Sequence, residues 1–201
     1  MPKKRPKNTL RKNEIIEAAL NVISEKDYQE ATISEITKKV GISEATMYEY
    51  FRSKEDLFFA IPDKITSEAL RLVEEILPFI RGAESKIRAI VQVYLTVCQN
   101  NPEYTSLVML HLKTNKKFRS TEAYETIRNG ARLLLGCIQE GIDEGTFRQD
   151  ADPYVLRALL LGAIEHLTTR WRMLGTPEDL VGYADSIVEV VMHGAMRRDC
   201  S

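Results

Sequence analysis

An all-α chain of about nine helices is what the sequence predicts, and three observations predict it. Apolar residues recur at three- and four-residue spacing in segment after segment. Those segments are bounded by helix starts (Thr32, Ser43, Ser53, Asn101-Pro102, Asp152-Pro153, Thr176-Pro177) and by glycine stops (Gly41, Gly82, Gly145). The composition, 44% hydrophobic and 28% charged over 201 residues, is that of an ordinary globular protein. No apolar run approaches the ~18 residues that span a bilayer, so no membrane partner is expected.

The chain begins with a basic stretch over residues 1–12, which carries Lys3, Lys4, Arg5, Lys7, Arg11 and Lys12 and no acid. It lacks the apolar core of a signal peptide. It reads as a flexible arm, either reaching DNA phosphates or an adjacent minor groove, or serving only as a solubilising tail. Residues 13–60 reverse the balance with five basic against ten acidic side chains, and the whole chain carries a formal charge of −1. A nucleic-acid partner would therefore be held by local placement of charge and not by an overall field. The first helix is expected from about Leu10 to Lys26, with Ile16, Ala19, Leu20 and Ile23 as its stripe; Ala31 and Phe51 are expected to close the small core it braces.

Thr32 to Lys54 holds the densest set of local signals. Thr32 and Glu35 have the spacing of a capping box, and Ile33, Ile36 and Val40 place one apolar face on the helix that follows. Gly41 stands where the chain must turn, a position that favours left-handed backbone. Ser43 then caps a second helix of roughly two turns, about 11 Å, short enough for a DNA major groove. Ser53 and Asp56 repeat the capping spacing and open a third, longer helix. Helix, glycine turn, helix is the helix-turn-helix pattern, and its second helix is the one that reads base edges.

The string GISEATMYEYFRSKEDLF, preceded by TISEITKKV, resembles the DNA-binding domain of the TetR family of bacterial transcriptional repressors over roughly residues 10–60. The resemblance implies a homodimer on palindromic operator DNA, released when a small molecule enters a larger helical domain. It divides the chain into a DNA-binding domain over 10–58 and a ligand-binding and dimerisation domain over 59–201. Position by position, Glu44, Ala45, Thr46 and Tyr48 fall where relatives touch bases. Thr32, Tyr50 and Lys54 fall where relatives touch phosphates, with Ser34 beside them. Lys54, in the first turn of a helix, suits a phosphate physically, and the Ala45 or Thr46 methyl suits a thymine methyl. Glu44 departs from the basic or amide residue common in relatives. It is either an acceptor for cytosine N4 or simply an acid favourable to the helix dipole.

Helix four, from Lys54, contains Pro62, so a kink or break is expected there, acting either as a hinge or as a fixed bend. Helix five follows over Glu84–Asn100, with Ile87, Ile90, Val91, Tyr94 and Val97 apolar. Asn101-Pro102 opens helix six, which ends at Leu112 before the basic loop HLKTNKKFRS. Helix seven spans Thr121 to Asp143. Asp152-Pro153 caps helix eight, apolar nearly all round at Val155, Leu156, Leu159, Leu160, Ile164 and Leu167, and Thr176-Pro177 caps helix nine. A helix apolar on every side must be buried on two faces, so these last two helices are expected to pair with those of a second copy in a four-helix bundle.

The stretch from Gly141 to Leu174, with Gly162, Ile164, Glu165, Thr169 and Trp171, is similar to the branch of the family that responds to long-chain acyl-CoA. That resemblance implies an apolar tunnel with cations for the nucleotide phosphates. Tyr94, Val97, Leu107, Leu110, His111, Ala131, Leu134, Leu135 and Ile164 are the candidate lining, or else plain core. Lys113, Lys116, Lys117, Arg119, Arg128 and Arg132 are the candidate phosphate partners, or else a solvated face. No cofactor is expected. His111, His166 and His193 are too scattered for a metal site or a triad, and no glycine-rich phosphate loop occurs, so no enzyme is expected. The alternative is a helical lipid or acyl carrier, or an enzyme, whose helix-turn-helix only packs protein. Cys98, Cys137 and Cys200, with no C-x-x-C spacing, fit a reducing cytoplasm.

Overall fold

The computed structural model describes residues 6–195, with side chains from residue 9 onward. Among them the chain forms nine α-helices and no strand. They are α1 (Pro6–Glu25), α2 (Ile33–Val40), α3 (Glu44–Tyr48), α4 (Lys54–Ile76), α5 (Ala83–Asn100), α6 (Pro102–Ser106), α7 (Glu122–Asp143), α8 (Pro153–Leu174) and α9 (Ala184–Ala195).

Most boundaries follow the local chemistry. Thr32 and Glu35 form the complete capping box of α2, and Gly41 leaves that helix at φ 71°. Ser43 accepts from the Thr46 N–H at 3.0 Å to start α3, and Ser53 accepts from the Asp56 N–H at 3.1 Å to start α4. The Asp152 carboxylate accepts from the N–H groups of Tyr154 and Val155, and Gly175 closes α8 at φ 71°.

Five expectations need correction. The basic arm is helical from Pro6, because proline at the first helical position loses nothing; residues 1–5 lie outside the described residues. Helix α3 has five residues, about 7.5 Å, not two turns. Helix α4 runs across Pro62 without a break. The Asn101 side chain does not cap α6 but donates back to the Val97 carbonyl at 2.8 Å, and the chain continues after Ser106 as a π-helical segment, Leu107–Leu112. Thr176-Pro177 does not cap α9: that bond is cis and lies in a loop, and a 3₁₀ turn at Val181–Tyr183 precedes the helix.

Two cores hold these helices. The first, at the N-terminal head, buries Ile15, Ala19, Ile36, Met47, Phe51, Phe58 and Ile61, with Ala31 also enclosed. It is completed by Tyr104, Leu107, Val108, Leu112 and Phe118, which arrive from far along the chain. The second core fills the body with residues of α5, α7, α8 and α9, among them Ile87, Leu95, Ile138, Leu160 and Val188. Helix α4 belongs to both, contributing Leu57, Phe58 and Ile61 to the head and Val73 to the body. Only one face of α8 is buried within the protomer: Leu156, Leu160 and Ile164 point inward, while Tyr154, Val155 and Leu159 are more than half exposed. Val190 on α9 is 75% exposed.

Candidate functional site

The head presents α3 outward. Met47 is fully buried and anchors the helix, which leaves Glu44, Ala45 and Tyr48 in solvent; Tyr48 is 50% exposed and is no core residue. The Thr46 hydroxyl lies 2.9 Å from Ser43 Oγ, tied to the cap. Ser34 is exposed at the start of α2, and Tyr50 is half-buried beside the first core. Glu44, Ala45, Tyr48, Ser34 and Tyr50 thus retain surface on the head.

Thr32 and Lys54 are more constrained than their positions suggest. The Thr32 hydroxyl donates to Glu35 Oε2 at 2.8 Å while accepting from the Glu35 N–H. Glu35 is in turn paired with Lys26, and this pairing, with the Thr32 bonds, holds its carboxyl down at about 2. Lys54 is not a free cation at the start of α4. Its Nζ donates to the Gln29 carbonyl at 3.1 Å and sits 5.1 Å from the Tyr28 ring centroid and 5.8 Å from that of Phe58. Burial there lowers its pKa, against the raising influence of Asp27. A phosphate at Lys54 would have to share the ammonium with these groups. The residue braces the head as much as it offers charge.

The body contains a cavity of about 120 Å³. One water needs roughly 10–15 Å³ of such space, so the cavity exceeds a packing defect several-fold. Of the expected lining, Tyr94, Val97, Ala131, Leu134 and Ile164 do face it. The others do not. Leu107 is consumed by the head core, because the π-helical segment turns it away from the body. Leu110 is 38% exposed, and Leu135 is half-buried away from the lining. His111 belongs to a separate small cleft, with Nε2 at 3.2 Å from Asp27 Oδ1 and its ring centroid 5.2 Å from that of Tyr28.

Sequence reasoning missed the wall that α4 supplies, Thr66, Ala69, Leu70 and Val73. Their i, i+3, i+4, i+7 spacing was a usable signal, yet the same spacing describes solid core. The expected phosphate partners also separate. Arg128 and Arg132 pair with Glu125, and Lys117 pairs with Glu55 on α4 at 2.8 Å. Lys116 and Arg119 remain exposed. Lys113 alone of the set turns into the cavity, where its Nζ lies 2.5 Å from Glu165 Oε1.

The cavity is otherwise strongly apolar, and its few polar groups feel that. Tyr104 Oη and Thr66 Oγ1 are 3.1 Å apart, and burial drives the Tyr104 phenol well above its ordinary range. Burial likewise pushes the Cys98 thiol up to about 12, against the lowering effects of Thr105 and Lys113. The Tyr94 phenol is raised by burial first, with the negative charge of Glu165 among the smaller causes. Groups held neutral in this way make a wall suited to a hydrocarbon chain and unsuited to acid–base work at neutral pH. Among the described residues no cluster of three or more His, Cys, Asp or Glu side chains could hold a metal ion, and no helix is long and apolar enough to cross a membrane.

Comparison with known proteins bears on both halves. Residues 15–61 match the model for bacterial regulatory proteins of the tetR family, and residues 63–194 match that for the C-terminal region of YsiA-like proteins. The fatty acid metabolism regulator protein of Bacillus subtilis is 26% identical over 194 residues, 96% of this chain and 98% of the relative. The nucleoid occlusion factor SlmA of Vibrio cholerae is 26% identical over 166 residues, 80% of this chain and 83% of the relative. Among solved structures, the transcriptional regulator FadR from Bacillus subtilis in complex with stearoyl-CoA superposes with a TM-score of 0.83 at 26% identity, over 90% of this chain and 98% of that one. FadR from Bacillus halodurans, at 23% identity and a TM-score of 0.81 over 90% of this chain and 98% of that one, shares the fold.

Proposed function

The chain belongs to the tetR family of bacterial regulatory proteins and is a transcriptional regulator, not an enzyme, and from that premise we propose a homodimeric repressor that holds a palindromic operator and lets go when a long-chain acyl-CoA fills its body. The observation that carries this reading is the course of α4. One helix carries Leu57, Phe58 and Ile61 in the head core, then Thr66, Ala69, Leu70 and Val73 on the cavity wall. A ligand that shifts the wall must bear on the head through this one continuous helix. Pro62 lies between the two sets, and a bend centred there is the proposed hinge.

In this account Glu44, Ala45, Thr46 and Tyr48 meet base edges, and Thr32, Ser34, Tyr50 and Lys54 meet the backbone. The bare apolar side of α8, at Tyr154, Val155 and Leu159, together with Val190 of α9, forms the dimer interface. Pairing about a two-fold axis sets the reader helices one DNA turn apart, about 34–36 Å. Acyl-CoA as the effector is supported by the apolar cavity and by the stearoyl-CoA bound to the relative of like fold. Such a regulator works where the chromosome and acyl-CoA are both present, in the cytoplasm.

The test is direct. Operator fragments are selected from random duplex DNA by the purified protein, and binding is followed by fluorescence anisotropy. Stearoyl-CoA at micromolar concentration is expected to release the DNA, and affinity is expected to fall steeply with salt. Selection of no consensus would refute the operator claim, and a consensus complex indifferent to acyl-CoA would refute the effector claim.

A further inference from the structure

Of the residues that line the body cavity, Lys113 and Glu165 are the two that carry charge. They come from two neighbouring elements, Lys113 from the end of the π-helical segment and Glu165 from the middle of α8. Their charged atoms stand 2.5 Å apart. The Lys113 ammonium is nevertheless buried without any properly directed hydrogen bond. It has charge compensation but unused donors, since an ammonium has three N–H groups. A buried donor left unsatisfied is costly, and a ligand acceptor that meets it recovers that cost. Glu165, in contrast, is acceptor-only and offers an incoming group nothing but negative charge.

We propose that this pair is a head-group filter, admitting an acyl chain that ends in a neutral carbonyl (a thioester or ester) and rejecting the same chain as a free carboxylate. A neutral carbonyl oxygen accepts from Lys113 and leaves the ion pair intact. A carboxylate that approaches the same ammonium also enters the field of Glu165, which is damped but not removed by the 42% exposure of that side chain, so it repels one member of the pair as it binds the other. Discrimination thus comes from the acid, and docking strength from the lysine. The inference rests on the acyl-ligand reading above and adds the chemical class that the cavity selects. Neither residue acts alone: removing the charge of Glu165 should open the site to carboxylates, while removing Lys113 should weaken every carbonyl ligand.

Three probes of equal chain length test it by calorimetry on the full-length protein: stearoyl-CoA, the stearoyl thioester of N-acetylcysteamine, and stearate. The wild type is expected to bind both thioesters at least tenfold more tightly than stearate, and Glu165→Gln is expected to shrink that ratio below threefold by strengthening stearate. Glu165→Asp, which keeps the charge, should keep the ratio. If Glu165→Gln does not fold by circular dichroism, the double variant Lys113→Met/Glu165→Gln, which leaves no unpaired charge, takes its place and should bind all three probes alike. Equal affinity of the wild type for stearate and thioester, or a ratio untouched by these variants, overturns the filter while leaving the acyl-ligand reading in place. Binding of the small thioester without stearoyl-CoA overturns the CoA reading and supports the filter. Failure of all three probes overturns both.

Discussion

The head and the body of this protein are built from the same kind of amphipathic helix but use it differently. In the head, α2 and α3 are each pinned by a side-chain cap, and a buried anchor stands next to an exposed side chain: Met47 is wholly enclosed and its neighbour Tyr48 half exposed. In the body, apolar residues at the same helical spacing stop short of filling the space between α4, α5, α7 and α8, and a cavity remains. The head spends its apolar residues on rigidity, so that polar groups can be presented outward at fixed positions. The body withholds some of that packing, and the unfilled volume is where the proposed effector would act. On that proposal, function sits on the surface of one region and in the incompleteness of the other.

The contrast is broken most forcefully at the anchor. Met47→Ala is expected to cost about 2–5 kcal/mol of stability, as truncation of a buried long side chain does, read as a lower midpoint in thermal or urea unfolding. Its neighbour should behave oppositely. Tyr48→Ala should leave the unfolding midpoint within error and weaken operator binding by about 1–3 kcal/mol, roughly fivefold to 150-fold in anisotropy titrations. Equal effects of the two substitutions on stability would mean that α3 is not presented as described.

In the body, Gly141→Ala forces a Cβ to within 2.3 Å of the Phe147 ring and 2.9 Å of Ala83 Cβ. Overpacking of that kind costs about 1–3 kcal/mol, and the loss should appear in unfolding while the α3 contacts to DNA keep their affinity at low temperature. On the bare side of α8, Leu159→Glu should leave the protomer folded and shift sedimentation from dimer to monomer, because Leu159 is 54% exposed in the single chain.

The smallest effect concerns pH. The Glu35 carboxyl is held at about 2, first by Lys26 and then by Thr32, below its ordinary value. A depressed carboxyl stabilises the fold above its unfolded pKa, and that contribution is lost as pH falls through the folded value. The head should therefore loosen between about pH 4.3 and 2, and Glu35→Gln should remove this part of the acid dependence. Near-ultraviolet circular dichroism across that range checks it.

How much of this was legible in the sequence differs between the same two regions. The head was readable nearly residue by residue, because Thr32, Gly41, Ser43 and Ser53 act on backbone groups three or four positions away. What it concealed was tertiary: Lys54 is drawn onto Gln29 and the Tyr28 ring, residues whose proximity no local pattern encodes. In the body, helix existence was legible, whereas the cavity was expected only from the resemblance, and five of its nine candidate lining residues face it while four do not. Leu70, Leu107 and Leu134 look alike as periodic apolar residues, yet only Leu70 and Leu134 face the cavity, and Leu107 is carried to the other core by a π-helical segment. A void has no residue of its own. Thr176-Pro177 failed as a helix start for a related reason, since a Thr-Pro pair suits a loop as well as a cap.

The central claim is that occupancy of the body governs the grip of the head. It is tested most directly by filling the cavity from within. Ala131→Trp places an indole on the α7 wall of the cavity, and the variant is compared with the wild type for operator binding while stearoyl-CoA is titrated in. The account predicts that the wild type releases DNA as the ligand rises, whereas the variant binds no ligand and its affinity for DNA stays constant across the titration. A variant that has lost its ligand by calorimetry yet is still stripped from DNA by stearoyl-CoA would contradict it.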